Sequence, residues 1–327
     1  MVNGLNLLFQ FLDNFAFIVL AASGLAIIFG IMGVINLAHG EFILVGAYAT
    51  TLFSTRTENY FGLGIGELTL PLPLAMLVGV LVAGAFGLLV ERVVISGAVP
   101  NWLWSRLPFS DSQLVSPLYD RLVDSMVATW GLSLIVTQGV LIVFGTSIQQ
   151  AGTPFGNVRY AGGEFSYSVY PLVLSGVAVV VLGGTYLLFT RTDFGMRARA
   201  TIQDEDTARA MGVDTERTYA ATFVVGSMLA GLAGALYAPF LNLSPQFGNS
   251  FLVESFVAVV AGGTSVVLGT AAAGGLLSGI GSFVTNVTDA PFFGRIALLA
   301  TALLILRFLP GGVSGYIEDL RERRREA

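Results

Sequence analysis

The chain contains no cysteine, no lysine and a single histidine, His39. Without cysteine there is no disulfide, thiolate nucleophile or cysteine metal site, and one histidine cannot build a two-histidine site, so no metal or cofactor is expected. Without lysine the chain cannot carry a phosphate-binding P-loop, whose glycines lead into a Lys, and ATP hydrolysis by that route is excluded. Charge is scarce as well, at 11% of 327 residues with a net charge of −5. All the basic residues are arginine and the first is Arg56. The N-terminal segment therefore lacks the basic region of a cleavable signal and is expected to be retained.

Apolar residues fill the space that charge leaves. They make up 54% of the chain, and the mean hydropathy is +0.78. A helix needs about 20 apolar residues to cross the hydrocarbon of a bilayer. The runs predict an all-α polytopic membrane protein of about eight to ten transmembrane segments, some short or discontinuous. One transmembrane domain spans residues 1–327. A polar insertion at 96–116, a loop at 191–217 and a tail at 310–327 are expected in the cytoplasm, because that orientation places most arginines inside. Three rows of small residues spaced by four predict close helix packing: Gly79, Ala83 and Gly87; Gly226, Ala230, Gly234 and Ala238; and Ala271, Gly275 and Gly279.

Two polar breaks interrupt the apolar pattern. The first lies in GIMGVINLAHGEFILVGAY, where Asn36, His39 and Glu41 precede a short apolar piece, Phe42 to Phe53. The second runs from Leu243 to Ser255 and contains Gln246 and Asn249 before Glu254, which has no basic neighbour in sequence. Ionised side chains inside a membrane cost about 2.5–3.5 kcal/mol each on insertion scales, and bent backbone there must face protein or a water-filled path. Discontinuous helices of this kind often line a transport path, and their recurrence in both halves is what an internal repeat would leave. Thr129, Trp130 and Gln138, in the crossing Met126 to Phe144, are further candidates for a path or gate. Arginine counting puts the first break toward the cytoplasmic face, which favours a hinge or inner gate over a ligand site.

The loop 191–217 reads as a capped surface helix. Asp204, Glu205 and Asp206 supply acids at an N-terminus, Ala208, Arg209 and Met211 follow, and Gly212 stops the run.

The stretches GVINLAHGEFILVGAY, ATWGLSL (128–134), DFGMRARATIQDEDTARAMGVD (193–214) and ESFVAVVAGG (254–263) occur in fixed order. Together they resemble the permease subunits of ABC importers for branched-chain amino acids and for urea or short amides, over nearly the whole chain. The resemblance implies a multi-pass protein of the cytoplasmic membrane, without catalytic residues of its own. It also implies partners: a second related permease, two cytoplasmic ATPase subunits and an extracytoplasmic substrate-binding protein. It further implies a coupling helix within Arg197 to Gly212, with Arg197, Arg199, Asp204, Glu205, Asp206, Ala208, Arg209, Met211 and Gly212 at the ATPase contact. ATWG and SPQFGNSFLVESF resemble the urea permeases more closely than the amino-acid ones, so urea or a short amide is the expected cargo and a branched-chain amino acid the alternative. The insertion at 96–116 departs from the family pattern, which runs almost continuously from ERVVI to PLYDRL. Rival classes are an intramembrane serine hydrolase, built on Gly248-Asn249-Ser250 with His39, and a passive channel.

Overall fold

The computed structural model describes residues 2–54, 70–97, 122–146, 152–160, 165–263, 265–309 and 311–316, with positions 118 and 319. Most of the insertion and of the C-terminal tail lies outside them. The helices are α1 (Val2–Met32), α2 (His39–Ser54), α3 (Leu72–Val90), α4 (Leu122–Phe144), α5 (Val169–Arg191), α6 (Asp193–Gln203), α7 (Glu205–Ala210), α8 (Thr215–Tyr237), α9 (Asn249–Gly262), α10 (Leu268–Thr288) and α11 (Pro291–Phe308). Seven of them, α1, α3, α4, α5, α8, α10 and α11, are long and apolar enough to cross a membrane. With the shorter α2 and α9, the architecture is that of a polytopic helical membrane protein.

Pro71 caps α3 at a position where its missing N–H is not needed. At the other end α3 runs into a π turn, Glu91–Ile95, which buries Glu91 beside Arg92 at 3.6 Å. Between α4 and α5 lies an antiparallel hairpin, Asn157–Tyr160 with Phe165–Ser168. Its Tyr167 stacks on Phe9 at 4.7 Å and donates its hydroxyl to the Phe9 carbonyl at 3.2 Å. Burial, reinforced by the charge of Asp13, pushes that phenol's pKa up and keeps it a donor.

The helices fall into two compact units, each drawing on both halves of the chain. One comprises residues 27–150 and 188–249, the other 1–26, 151–187 and 250–327. In the first, α2, α3 and α8 pack on one another. A side chain at Gly46 would land on the backbone of Gly231, one at Gly234 on the carbonyl of Ile43, and one at Gly87 on Ser227. Gly79 lies against Thr50 and the carbonyl of Gly46. Two of the predicted small-residue rows therefore mark real seams, where close backbone approach substitutes for the hydrophobic drive that lipid removes.

In the second unit the third row is rotated. Ala271, Gly275 and Gly279 are only half-buried, and the buried stripe of α10 is Ala273 and Gly274, Leu277 and Ser278, Gly281 and Ser282. A side chain at Gly274 would come within 2.9 Å of Val19 on α1. Asn14 of α1 also donates to Ser282 at 2.8 Å.

Candidate functional site

The first break is non-helical and buried at once. Gly33, at φ +64°, ends α1 and donates to Phe29 at 3.0 Å, a left-handed turn that a side chain would strain. Val34, Asn36, Ala38 and His39 are at most 1% exposed, so their backbone polar groups must find protein partners. Asn36 supplies two: its Oδ1 accepts from the Ala38 N–H at 3.0 Å and its carbonyl accepts from His39 at 3.2 Å, which starts α2. Thr129 of α4 supplies a third, accepting from the Leu37 N–H at 3.0 Å while its hydroxyl donates to the Ser125 carbonyl at 2.7 Å.

Glu41 occupies the first turn of α2, where the helix dipole favours a negative charge. Its Oε1 accepts from Ser133 at 2.7 Å and from Thr137 at 3.2 Å. Thr129, Ser133 and Thr137 thus form one polar stripe on α4, spaced by four. Ser133 and Thr137 escaped the sequence reading, although that spacing was the available signal. Trp130 and Gln138 lie on exposed surface of α4, Trp130 at 56%, and do not join this stripe.

The second break comes back to the first. A side chain on Gly40 would sit 2.7 Å from the Gly248 carbonyl, and one on Gly248 would meet Gly40. The two polar breaks touch backbone to backbone. Leu243 and Phe247 are buried here, whereas Gln246 and Asn249 are exposed.

In the other unit, Glu254 is 9% exposed on α9 and is not isolated. Arg295, 41 positions later on α11, pairs with it through Nε at 2.8 Å, and its Nη2 lies 3.4 Å from the Ser250 carbonyl. The basic partner that Glu254 lacks in its local sequence is supplied by a distant helix of the same unit.

The loop 191–217 forms two helices rather than one. Thr192 caps α6 by accepting from Gly195 at 3.2 Å. Ala198 is buried and Arg197 and Arg199 are exposed. Asp204 caps α7, accepting from the N–H and hydroxyl of Thr207 at 3.0 and 2.7 Å, and those bonds hold its carboxyl below the usual range. Asp206 is solvent-facing, with Arg209 Nη1 at 4.0 Å. Glu205 anchors the module to α8: its Oε1 accepts from Arg209 at 2.6 Å and Thr215 at 3.2 Å, and its Oε2 accepts from the Tyr219 hydroxyl at 2.9 Å. Ala208 is buried, Met211 is 80% exposed, and Gly212 at φ +88° ends α7 with Val213 donating to the Ala208 carbonyl. Thr215 and Tyr219 are further members that local sequence did not single out.

A family model described as "Branched-chain amino acid transport system / permease component" matches residues 7–309. The chain belongs to this permease family. The permease component of a transport system carries its cargo across the membrane and is not an enzyme. Among curated relatives, the LivH permease protein of the high-affinity branched-chain amino acid transport system of Escherichia coli (strain K12) is 26% identical over 302 residues, 90% of each chain. A probable branched-chain amino acid transport permease protein LivH of Methanocaldococcus jannaschii is 27% identical over 310 residues, 91% of this chain and 88% of the relative. The xylose transport permease XylH of Escherichia coli (strain K12) is 29% identical over 147 residues, 42% of this chain and 37% of the relative. No solved structure matches. The urea cargo expected from ATWG and the second break finds no support here, and the amino-acid alternative fits the permease family better.

Proposed function

We propose that the chain is the membrane permease of an ABC importer that brings branched-chain amino acids into the cell, with its C-terminus in the cytoplasm. The observation that carries this reading is the family match over residues 7–309. The partners are a second related permease, two cytoplasmic ATPases and an extracytoplasmic binding protein.

The geometry supports an alternating-access mechanism within one unit. ATPase closure displaces α6 and α7, whose exposed Arg197, Arg199, Asp206 and Met211 face outward, while Glu205 ties α7 to Tyr219 of α8. Through the glycine seam, α8 carries α2 with it. The backbone at Asn36 to His39, latched by Thr129, is where the change in direction is absorbed, with Glu41 registering α2 against Ser133 and Thr137. In this reading Asn36, His39, Glu41 and Thr129 are hinge and inner-gate residues, and Trp130 and Gln138 stand outside the gate.

Reconstitution with the partner ATPases and binding protein tests the proposal. Leucine, isoleucine and valine are expected to accumulate in proteoliposomes only with ATP. Uptake of urea without leucine would overturn the cargo, and uptake independent of ATP would indicate a channel. Deleting Glu205 to Met211 is expected to abolish ATP-driven uptake while leaving membrane insertion intact, and normal uptake by that variant would refute the coupling assignment.

A further inference from the structure

We infer that Glu254 and Arg295 form a binding site for the two charges of an α-amino acid, a step that rests on the amino-acid cargo proposed above. Both residues lie in apolar helices, α9 and α11. The nearly enclosed Glu254 is the costly member, and a carboxyl so placed in an apolar helix marks function by default, whereas Arg295 sits one turn into α11 and is about half exposed. An apolar pair of similar volume would hold two helices together at no greater cost, so packing alone does not account for the charges.

The geometry suits exchange of partners. Glu254 is nearly enclosed, whereas Arg295 is about half exposed, so the guanidinium is reachable while the carboxylate is kept from bulk water. A guanidinium has five N–H donors. Arg295 commits Nε to Glu254 and Nη2 to a long contact with the Ser250 carbonyl, and its Nη1 has no partner among the described residues. An incoming carboxylate therefore finds a free edge of the fork, the planar arrangement that carboxylates bind best.

The charge arithmetic is also favourable. A zwitterion brings one ammonium and one carboxylate. Its carboxylate takes Arg295, its ammonium takes the Glu254 oxygen that Arg295 releases, and the assembly stays neutral. A neutral amide such as urea, an amine or a carboxylic acid cannot replace both members of the pair, and each leaves a charge unmatched. In the absence of cargo the pair closes on itself. With α11 entering the membrane from the extracytoplasmic side, as the arginine distribution requires, the site lies on the entry side of the permease.

The test compares leucine with 4-methylpentanoate and isopentylamine, which each lack one charge, by saturation-transfer NMR on the assembled permease–ATPase complex without binding protein. Leucine is expected to respond at least tenfold more strongly than either analogue, a comparison that needs no variant. Arg295→Gln and Glu254→Gln are each expected to lower the leucine response and ATP-driven uptake at least tenfold. Exchanging the charges, Glu254→Arg with Arg295→Glu, separates binding from a structural role. A structural pair is restored by the exchange, whereas a chiral amino acid then meets its charges reversed and uptake stays low. Equal response to the three ligands, undiminished uptake by the single variants, or rescue by the exchange would overturn the site while leaving leucine transport by the wild-type importer in place. Failure of the wild-type importer to take up leucine would remove the cargo reading and this site together.

Discussion

Glu41 and Glu254 are the same residue in similar settings, each in a short helix that follows a non-helical stretch and each at most 9% exposed. Their partners differ in kind. Glu41 is held by two neutral hydroxyls from α4, Glu254 by a guanidinium from α11. Hydroxyls can donate to a carboxylate or accept from a carboxylic acid, so the Glu41 contact is indifferent to charge and suits a register mark in a moving joint. The guanidinium is a fixed cation that a carboxylate matches best, which makes the Glu254 contact open to competition by other charges. The first glutamate is built to stay with its partners, and the second to be able to change them.

That contrast can be broken most severely at the ion pair. Arg295→Ala leaves Glu254 buried without a cation, and thermal unfolding in detergent should show a loss of about 3 kcal/mol, the low end for breaking a buried pair because Arg295 is half exposed. Next in size is Gly248→Ala, which forces a methyl group against the backbone of Gly40 and is expected to cost about 1–3 kcal/mol by overpacking and to slow uptake. Replacing Ser133 and Thr137 together by alanine should cost about 1–2 kcal/mol, the loss of neutral hydrogen bonds to one buried oxygen, with Glu41→Gln milder still because an amide oxygen still accepts. A double alanine variant as damaging as Arg295→Ala would erase the distinction between the two glutamates.

The smallest effect lies beyond the candidate membrane spans, at an acid whose partners are neutral and solvent-exposed. The carboxyl of Asp204 is held below its usual range by Thr207, so its cap contributes fully above the unfolded value, near 3.9 for a typical Asp, and is lost as pH falls through the lower folded value. The protection of the Thr207 amide, its exchange rate relative to the intrinsic rate at each pH, should therefore fall only in acid. Asp204→Asn should remove that pH dependence while keeping an acceptor for the cap. Loss of that protection between pH 5 and 8 in the parent protein would show that another group controls α7.

Much of this architecture was legible from residues alone, and the reasons differ by element. The breaks at Asn36 to Glu41 and Leu243 to Ser255 stood out because polar residues in an apolar run have few physical excuses. The acidic start of α7 at Asp204 was readable because capping is local chemistry, and Asp214 does the same for α8, accepting from the Arg217 N–H at 3.0 Å. The outward placement of Trp130 was not readable. A membrane helix is apolar on the face it shows to lipid as well as the face it shows to protein, so periodicity loses its power to tell the two apart. The same reason hid the buried stripe of α10. Arg295 was missed for another cause: 41 residues separate it from Glu254, and no local pattern encodes that meeting.

The helix α8 has a mechanical consequence. It carries Tyr219 near one end and Gly234 near the other, with no proline between them. At 1.5 Å per residue these positions lie about 22 Å apart along a continuous hydrogen-bonded rod. A rod of this kind resists compression far more than it resists bending. A push delivered axially at Tyr219 would therefore reach the Ile43 contact almost undiminished, whereas a sideways push would be dissipated as flexure. The direction of the stroke, more than its size, would then set how efficiently the joint opens.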